Sequence, residues 1–408
     1  MKLKFTAILL LLSALPAFAQ IQSPYSRFGY GLLNDNASSA QTQMGGVGYA
    51  MQSGRQINAM NPASYAMTDS LTFLFDMGVA LTNVWRSEGD TRDRKTGGGL
   101  DYITMQFPLC KFMGMSIGLL PWSSVGYSFG TDIKNGSSSH NGSGGFNTLY
   151  AGVSGKIPGG VSLGVNIAYL FGTNYNDVYA YTSSSSISLF EQVTQVRDFN
   201  IEIGAQYNLR INNEHSITAG LVFSPGKTFL GNTWVQKYVV GQDTDPDTIG
   251  YQSLKNIATR PAKWGAGLSY TIKNKLTAEV DFTYEPWSKA KIATFETFET
   301  SQFTDRYKVA AGLAYTPNTR GNYLQKMTYR FGGHWTKDYM MVGTNKVKEW
   351  GLSCGFGLPA PGQKTVINLG FEYLHRQCSP QALLTENYFN IKLGINFNQL
   401  WFMQSKLR

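Results

Sequence analysis

Phe389-Asn390-Ile391-Lys392-Leu393-Gly394-Ile395-Asn396-Phe397 places an apolar side chain at every odd position and a polar residue or glycine at every even one. A period of two over this length is a strand with one apolar and one wet face. Leu276, Ala278, Val280, Phe282 and Tyr284 repeat the pattern against Thr277, Glu279, Asp281 and Thr283. In a soluble sandwich the wet face would look outward. Composition and export predict the reverse here, with the apolar face on lipid and the polar face on a lumen.

Export is read from the first residues. Lys2 and Lys4, the apolar run Ile8 to Leu12 and the small-residue site Ala17-Phe18-Ala19 predict a signal peptide over 1–19. The mature chain then starts at Gln20, with no cysteine there for a lipid anchor. No later stretch approaches the roughly 20 apolar residues of a membrane helix. A membrane location therefore requires a closed barrel, because an open sheet edge goes unsatisfied in hydrocarbon. The 44 glycines, 13 % aromatic and 15 % charged residues fit strands that are half wet. Net charge is +9, falling to about +7 once Lys2 and Lys4 leave; it reads as a solvated excess, with some loops near lipopolysaccharide phosphates. No nucleic-acid partner is expected. Cys110, Cys354 and Cys378 fall at a periplasmic turn, within a strand and near the extracellular rim, so all three are expected to be free.

Residues 20–70 do not alternate. They are rich in glycine and turns yet carry large apolar groups, which predicts a compact plug packed inside the barrel. Alternating segments follow at 71–83, 100–109, 112–129, 144–157, 159–175, 194–210, 213–225, 258–272, 275–288, 303–316, 325–339, 345–358, 363–376 and 385–402. The expected fold is thus all-β, a 14-stranded antiparallel transmembrane barrel over 71–402 with a short periplasmic tail at 403–408. Short connections (110–111, 158–159, 211–213, 273–275, 360–362) oppose longer ones (84–99, 130–143, 176–193, 226–257, 289–302), as periplasmic turns oppose extracellular loops. The connections 317–324 and 340–344 blur that contrast. Tyr169, Phe171, Tyr284, Trp287, Tyr315, Tyr373, Trp401 and Phe402 are expected at the membrane rims.

Met44-Gly45-Gly46-Val47-Gly48 followed by Asn61-Pro62-Ala63-Ser64 resembles the glycine-rich hatch motif of the FadL-type outer-membrane transporters of long-chain fatty acids and other hydrophobic compounds. Arg260-Pro261-Ala262 and Tyr284-Glu285-Pro286-Trp287-Ser288 also look like landmarks of that family, and Tyr25-Ser26-Arg27-Phe28-Gly29 resembles its Bacteroidota version. The resemblance implies the outer membrane of a Gram-negative bacterium and a hatch at Gly45, Gly46, Asn61, Pro62 and Ala63. It also implies an inward kink in the third strand, at Gly118, Pro121 and Trp122, opening a lateral gap for ligand release. Proline inside a strand removes a ladder bond, which fits such a kink. Apolar ligand would first meet Leu189 and Phe190 in one extracellular loop and Phe229 and Trp234 in another.

By parity Glu279, Asp281, Glu285, Lys308, Glu372 and Lys392 face the lumen, charges that suit a plug-binding network better than an apolar tunnel. Apolar lumen positions such as Leu170 and Leu374 are few. Uptake of a hydrophobic, long-chain fatty-acid-like small molecule is the leading function; the alternative is a non-transport role as scaffold or docking subunit of an outer-membrane secretion or barrel-assembly complex. Catalysis is not expected. His140, His215, His334 and His375 are scattered and no motif offers a nucleophile. Asp243, Asp245 and Asp247 have calcium-loop spacing, but Thr248 replaces the turn glycine and Leu254 the bidentate glutamate, so no metal or cofactor is expected. Asp69-Ser70-Leu71 and Asp247-Thr248-Ile249 resemble a short O-glycosylation sequon.

Overall fold

The computed structural model describes residues 23–133, 136–182, 187–240, 247–256, 258–290, 302–361 and 364–401. The signal-peptide segment, Asp243, Asp245, Phe402 and the tail 403–408 lie outside the described residues. Fourteen strands form the ring. They are β1 (Thr72–Glu88), β2 (Thr91–Cys110), β3 (Met113–Ile133), β4 (Gly136–Ile157), β5 (Val161–Thr182), β6 (Ile187–Arg210) and β7 (His215–Ser224). The circuit continues with β8 (Lys263–Ile272), β9 (Leu276–Glu285), β10 (Arg306–Tyr315), β11 (Thr328–Val342), β12 (Asn345–Pro359), β13 (Val366–Ser379) and β14 (Thr385–Leu400). β14 pairs with β1 from Thr385↔Ser87 to Leu400↔Thr72, which closes the barrel. The fourteen alternating segments of the sequence correspond to these fourteen strands.

Side-chain direction follows the alternation. On β9, Val280 is 54 % exposed and its neighbour Asp281 is 3 % exposed, so apolar residues face outward and charged ones inward. Phe199, Leu221, Leu268, Phe331 and Leu352 extend the outward apolar band around the barrel. At its upper edge Tyr169 stacks on Phe171 with centroids 5.7 Å apart and lies tilted against Phe199 at 5.0 Å.

The strands differ in height around the ring, with β1, β2 and β11 to β14, at 14 to 20 residues, between two extremes. β7 to β10 have 10 residues each, close to the roughly 9–11 that cross a bilayer. β3 to β6 have 21, 22, 22 and 24. The expected extracellular loops at 84–99, 130–143 and 176–193 are for the most part continuations of the ladders; β1 and β2, for instance, stay paired up to Glu88↔Thr91. Charged residues, serines and glycines interrupt the alternation there, which hid the strands from a period-two reading. The 226–257 connection contains a further hairpin, Gly231–Val240 with Asp247–Lys255, whose first strand pairs with the top of β6. Together these form a wall rising above one side of the barrel.

The N-terminal segment lies within the ring. It contributes a two-residue strand (Leu32–Leu33), a helical turn (Ser39–Thr42) and a 3-10 turn (Pro62–Met67). Its contacts reach β2, β5, β9 and β14, around the whole circumference. Trp287 departs from its expected rim position. It is fully buried against Tyr30 and Tyr339, because the chain turns inward after β9.

Candidate functional site

The lumen is occupied by residues 23–70, and the wall is shaped to receive them. Gly312 and Gly332 face Met44, Gly355 and Gly370 face Gln43, and Gly394 faces Ser39. Gly220 and Gly267 face Tyr49, Gly204 and Gly164 face Asn61-Pro62, and Gly114 and Gly152 face Tyr65. At each a Cβ would come within 3.0 Å of the segment. Glycine weakens a strand and is kept where another backbone must approach closely. Eleven of the fourteen strands supply such a glycine, so the belt grips the segment from nearly every side.

Carboxylates add directed bonds. Asp281 accepts hydrogen bonds from the backbone N–H groups of Gly48 (2.7 Å) and Tyr49 (2.9 Å), and Glu279 accepts one from Ala50 (2.9 Å). Three successive amides thus meet the two neighbouring carboxyl side chains, each bond contributing on the order of 1 kcal/mol. Asp35 bridges Arg306 (2.9 Å) and Lys308 (2.6 Å), and Arg306 continues to Glu285 (2.9 Å). Burial would raise the Asp35 carboxyl, but the Lys308 and Arg306 cations outweigh it and hold it well below the usual carboxylate range. Lys392 pairs with Asp101 at 3.6 Å, and Glu372 accepts from Asn390 at 3.0 Å.

Gly45 sits at φ +77°, pressed on the Gly333 backbone, and its N–H donates to Ser353 Oγ at 2.9 Å. Gly46, at φ +81°, faces the Lys308 Nζ. Asn61 caps its 3-10 turn by accepting from Ala63 N–H at 3.0 Å, and donates to the Tyr49 carbonyl at 2.7 Å. Pro62 opens that turn. The five residues expected in the hatch therefore all lie at points where the segment meets the wall or itself.

Toward the extracellular mouth, Tyr30 fills the centre of an aromatic cluster. Its ring lies 5.5 Å from Trp122, 5.8 Å from Phe229, 5.8 Å from Trp287 and 6.0 Å from Phe146. Phe229 is 1 % exposed, so it belongs to this lid and not to a surface groove. Leu189, Phe190 and Trp234, also expected on loops, sit on the β6 and hairpin ladders, with Leu189 opposite Tyr238 and Trp234 opposite Val193.

At Pro121 the third strand parts from the second. The β2–β3 ladder ends at Ile103↔Leu119, one residue above Gly118↔Thr104. The β3–β4 ladder continues through a bulge between Pro121 and Ser123, which leaves Trp122 unpaired there. The freed edge of β3 is met from inside: Leu32 pairs with Ser124, Leu33 with Ser123, and Asn34 N–H donates to the Trp122 carbonyl at 3.0 Å. Beside the split lies a cavity of about 210 Å³ bounded by Pro121, Asp101, Lys308, Arg376 and Lys392. Leu32, Leu33, Leu120 and Leu374 share its lining with the charged groups, and it is smaller than the ~300–1,000 Å³ usual for drug-sized ligands. At the periplasmic end the lumen opens into a vestibule of about 2140 Å³.

The glycine belt and the aromatic lid are the features that sequence reading missed. The belt glycines hold inward parity positions throughout, which was the available signal.

A family model named BamG matches residues 1–408. No curated protein matches the sequence. Among solved structures, a Pseudomonas aeruginosa FadL homologue is 10 % identical, covering 90 % of this chain and 99 % of that one at a TM-score of 0.65. The P. putida toluene transporter TodX is 13 % identical, covering 91 % and 100 % at 0.62. The CymD monoaromatic hydrocarbon channel is 12 % identical, covering 91 % and 99 % at 0.60. Identities this low speak for a shared fold, that of an outer-membrane β-barrel, and the expected FadL-type resemblance is confined to it. By the match along its whole length, the chain belongs to the BamG family.

Proposed function

We propose that this protein is a non-transport barrel that serves as a docking subunit of an outer-membrane complex, one acting in secretion or barrel assembly. The observation that carries this reading is the filled lumen. A segment gripped by glycines on eleven strands and bonded through Asp281 and Glu279 occupies the space a ligand would cross. What then stays available for work is the wall above the bilayer and the vestibule below it. Lipid and lipopolysaccharide would surround the barrel, and the working partner would be another outer-membrane protein. The test is extraction in a mild detergent followed by partner and lipid analysis. Stoichiometric outer-membrane partners without fatty acid support docking. A monomer carrying bound fatty acid overturns it.

A second reading, uptake of a hydrophobic, fatty-acid-like compound with sideways release, is favoured by the split above Ile103↔Leu119. The FadL homologue, TodX and CymD share the fold, and the last two are named for toluene and monoaromatic hydrocarbons. In this reading residues 20–70 act as a movable hatch and Pro121 holds the gap open. Pro121→Thr should restore the ladder and abolish uptake of a fluorescent fatty acid; unchanged uptake rules out the lateral route.

A further inference from the structure

The wall above the bilayer has an outer face unlike the rest of the protein. The β5–β6 ladder runs without a register shift from the lipid-facing pair Tyr169↔Phe199 to Tyr181↔Ile187, so odd residues stay on the outside all the way up. On that face Tyr175, Tyr179 and Tyr181 stand on β5, opposite Val193, Leu189 and Ile187 on β6. The hairpin extends the surface, with Trp234 opposite Val193, Tyr238 opposite Leu189, and Tyr251 opposite Gln236. Tyr175 is 42 % exposed and Tyr251 59 % exposed. Asp177 lies roughly 20 Å along the strand above the Phe171 rim, at ~3.3 Å per residue, so lipid does not account for these rings.

In the middle of the aromatic surface Asp177 faces Glu191 directly across the ladder. Like charges in that relation destabilise a sheet. Tyr179 and Tyr238 stand within electrostatic reach of both carboxylates. Among the described residues no cation answers the pair, and Asp177 Oδ1 has no hydrogen-bond donor. The isolated wall thus carries an uncompensated negative pair inside a ring of aromatic faces. A cation placed there would relieve the repulsion and gain cation–π attraction from the rings. Lipopolysaccharide phosphate would be repelled.

Resting on the docking reading, we infer that this face is the docking surface. Its occupant is an outer-membrane protein whose extracellular part places a lysine or arginine between Asp177 and Glu191, ringed by Tyr175, Tyr179, Tyr238 and Trp234. Rigid aromatic anchors around one buried charge contact are the usual make-up of an interface hot spot.

The test uses the full chain in its own outer membrane, extracted in mild detergent and resolved by native electrophoresis. Asp177→Asn/Glu191→Gln keeps side-chain shape and removes the charge; Tyr179→Ala removes a ring; Asp90→Asn, at the exposed β1–β2 tip, is the control. The complexed fraction should fall at least tenfold in the first two and stay unchanged in the control. All variants should keep the heat-modifiable gel mobility of a folded barrel, and the double variant alone should unfold no earlier than wild type. A wild-type chain free of partners defeats the docking reading and this inference with it. A wild-type complex that survives Asp177→Asn/Glu191→Gln overturns the inference alone. Loss of bound lipopolysaccharide in place of protein overturns it too, by assigning the face to glycan.

Discussion

The tall side and the short side of this barrel are built from the same alternation but answer to different solvents. β7 to β10 stop after 10 residues each, about what a bilayer demands. β6 continues to 24 residues, roughly 80 Å of strand at ~3.3 Å per residue. Lipid can explain the short side completely. It cannot explain the tall one, whose upper half buries Tyr127, Phe146 and Val196 on or beside its inner side and leaves Tyr175 and Tyr251 exposed on its outer face. Aromatic rings exposed on the outside above the bilayer point to a surface kept for contact. The lumen shows the complementary economy: all around the ring, wall side chains have been removed to grip the inner segment.

The largest effect should come from cutting the wall down to the height of the short side. Replacing 174–194 by a two-residue Asn-Gly turn and 231–255 by a short Gly/Ser linker should leave a folded, heat-modifiable barrel yet lower the complexed fraction more than tenfold. A truncated chain that still assembles would erase the functional difference between the two sides. Next comes the belt. Gly312→Leu drives a side chain into Met44, and overpacking of this kind should lower stability by about 3 kcal/mol, read as an earlier urea midpoint in micelles. Gly99, on the tall side, has open space where its Cβ would be, so Gly99→Ala should leave the midpoint unmoved.

Asp281→Asn keeps the shape but weakens two charge-assisted bonds to Gly48 and Tyr49, with an expected cost of about 2 kcal/mol in the same assay. The smallest effect concerns Asp35. Its carboxyl is held below the usual range by Lys308 and Arg306, so the stability it adds is complete above the unfolded carboxylate value near ~4 and drains as pH falls through the folded value. The urea midpoints of wild type and Asp35→Asn should therefore differ by a constant amount, about 1 kcal/mol, from about pH 8 to 5. That gap should close only below about pH 4; a gap already closing near pH 6 contradicts the clamp.

Much of the barrel was legible because its rule is local. Each lipid-crossing segment declares itself by period two, as Phe389 to Phe397 does, and the inward charges Glu279, Asp281 and Lys308 follow from parity. The wall was not legible, since runs of serine, glycine and charged residues break its alternation, and Leu189, Phe190 and Trp234 therefore looked like loop residues. Phe229 and Trp287 were misplaced for another reason. An apolar ring beside a strand end can turn toward lipid or toward the lumen, and only Tyr30, distant in sequence, decides which. Gly394 illustrates the limit best. It sits in the very stretch that defines the strand, yet its role depends on Ser39 approaching from the opposite end of the chain.

The central claim is that the lumen stays filled while the protein works, and a disulfide across the belt tests it directly. Gln43 Cγ lies 2.7 Å from the position of a Cβ on Gly370, so Gln43→Cys/Gly370→Cys, with the three native cysteines replaced by alanine, suits a bridge. Uptake of a fluorescent fatty acid is then measured in cells with the bridge closed and after its reduction. The account predicts the same background uptake in both states, whereas uptake that starts on reduction and stops on reoxidation would make the lumen a gated conduit and contradict it.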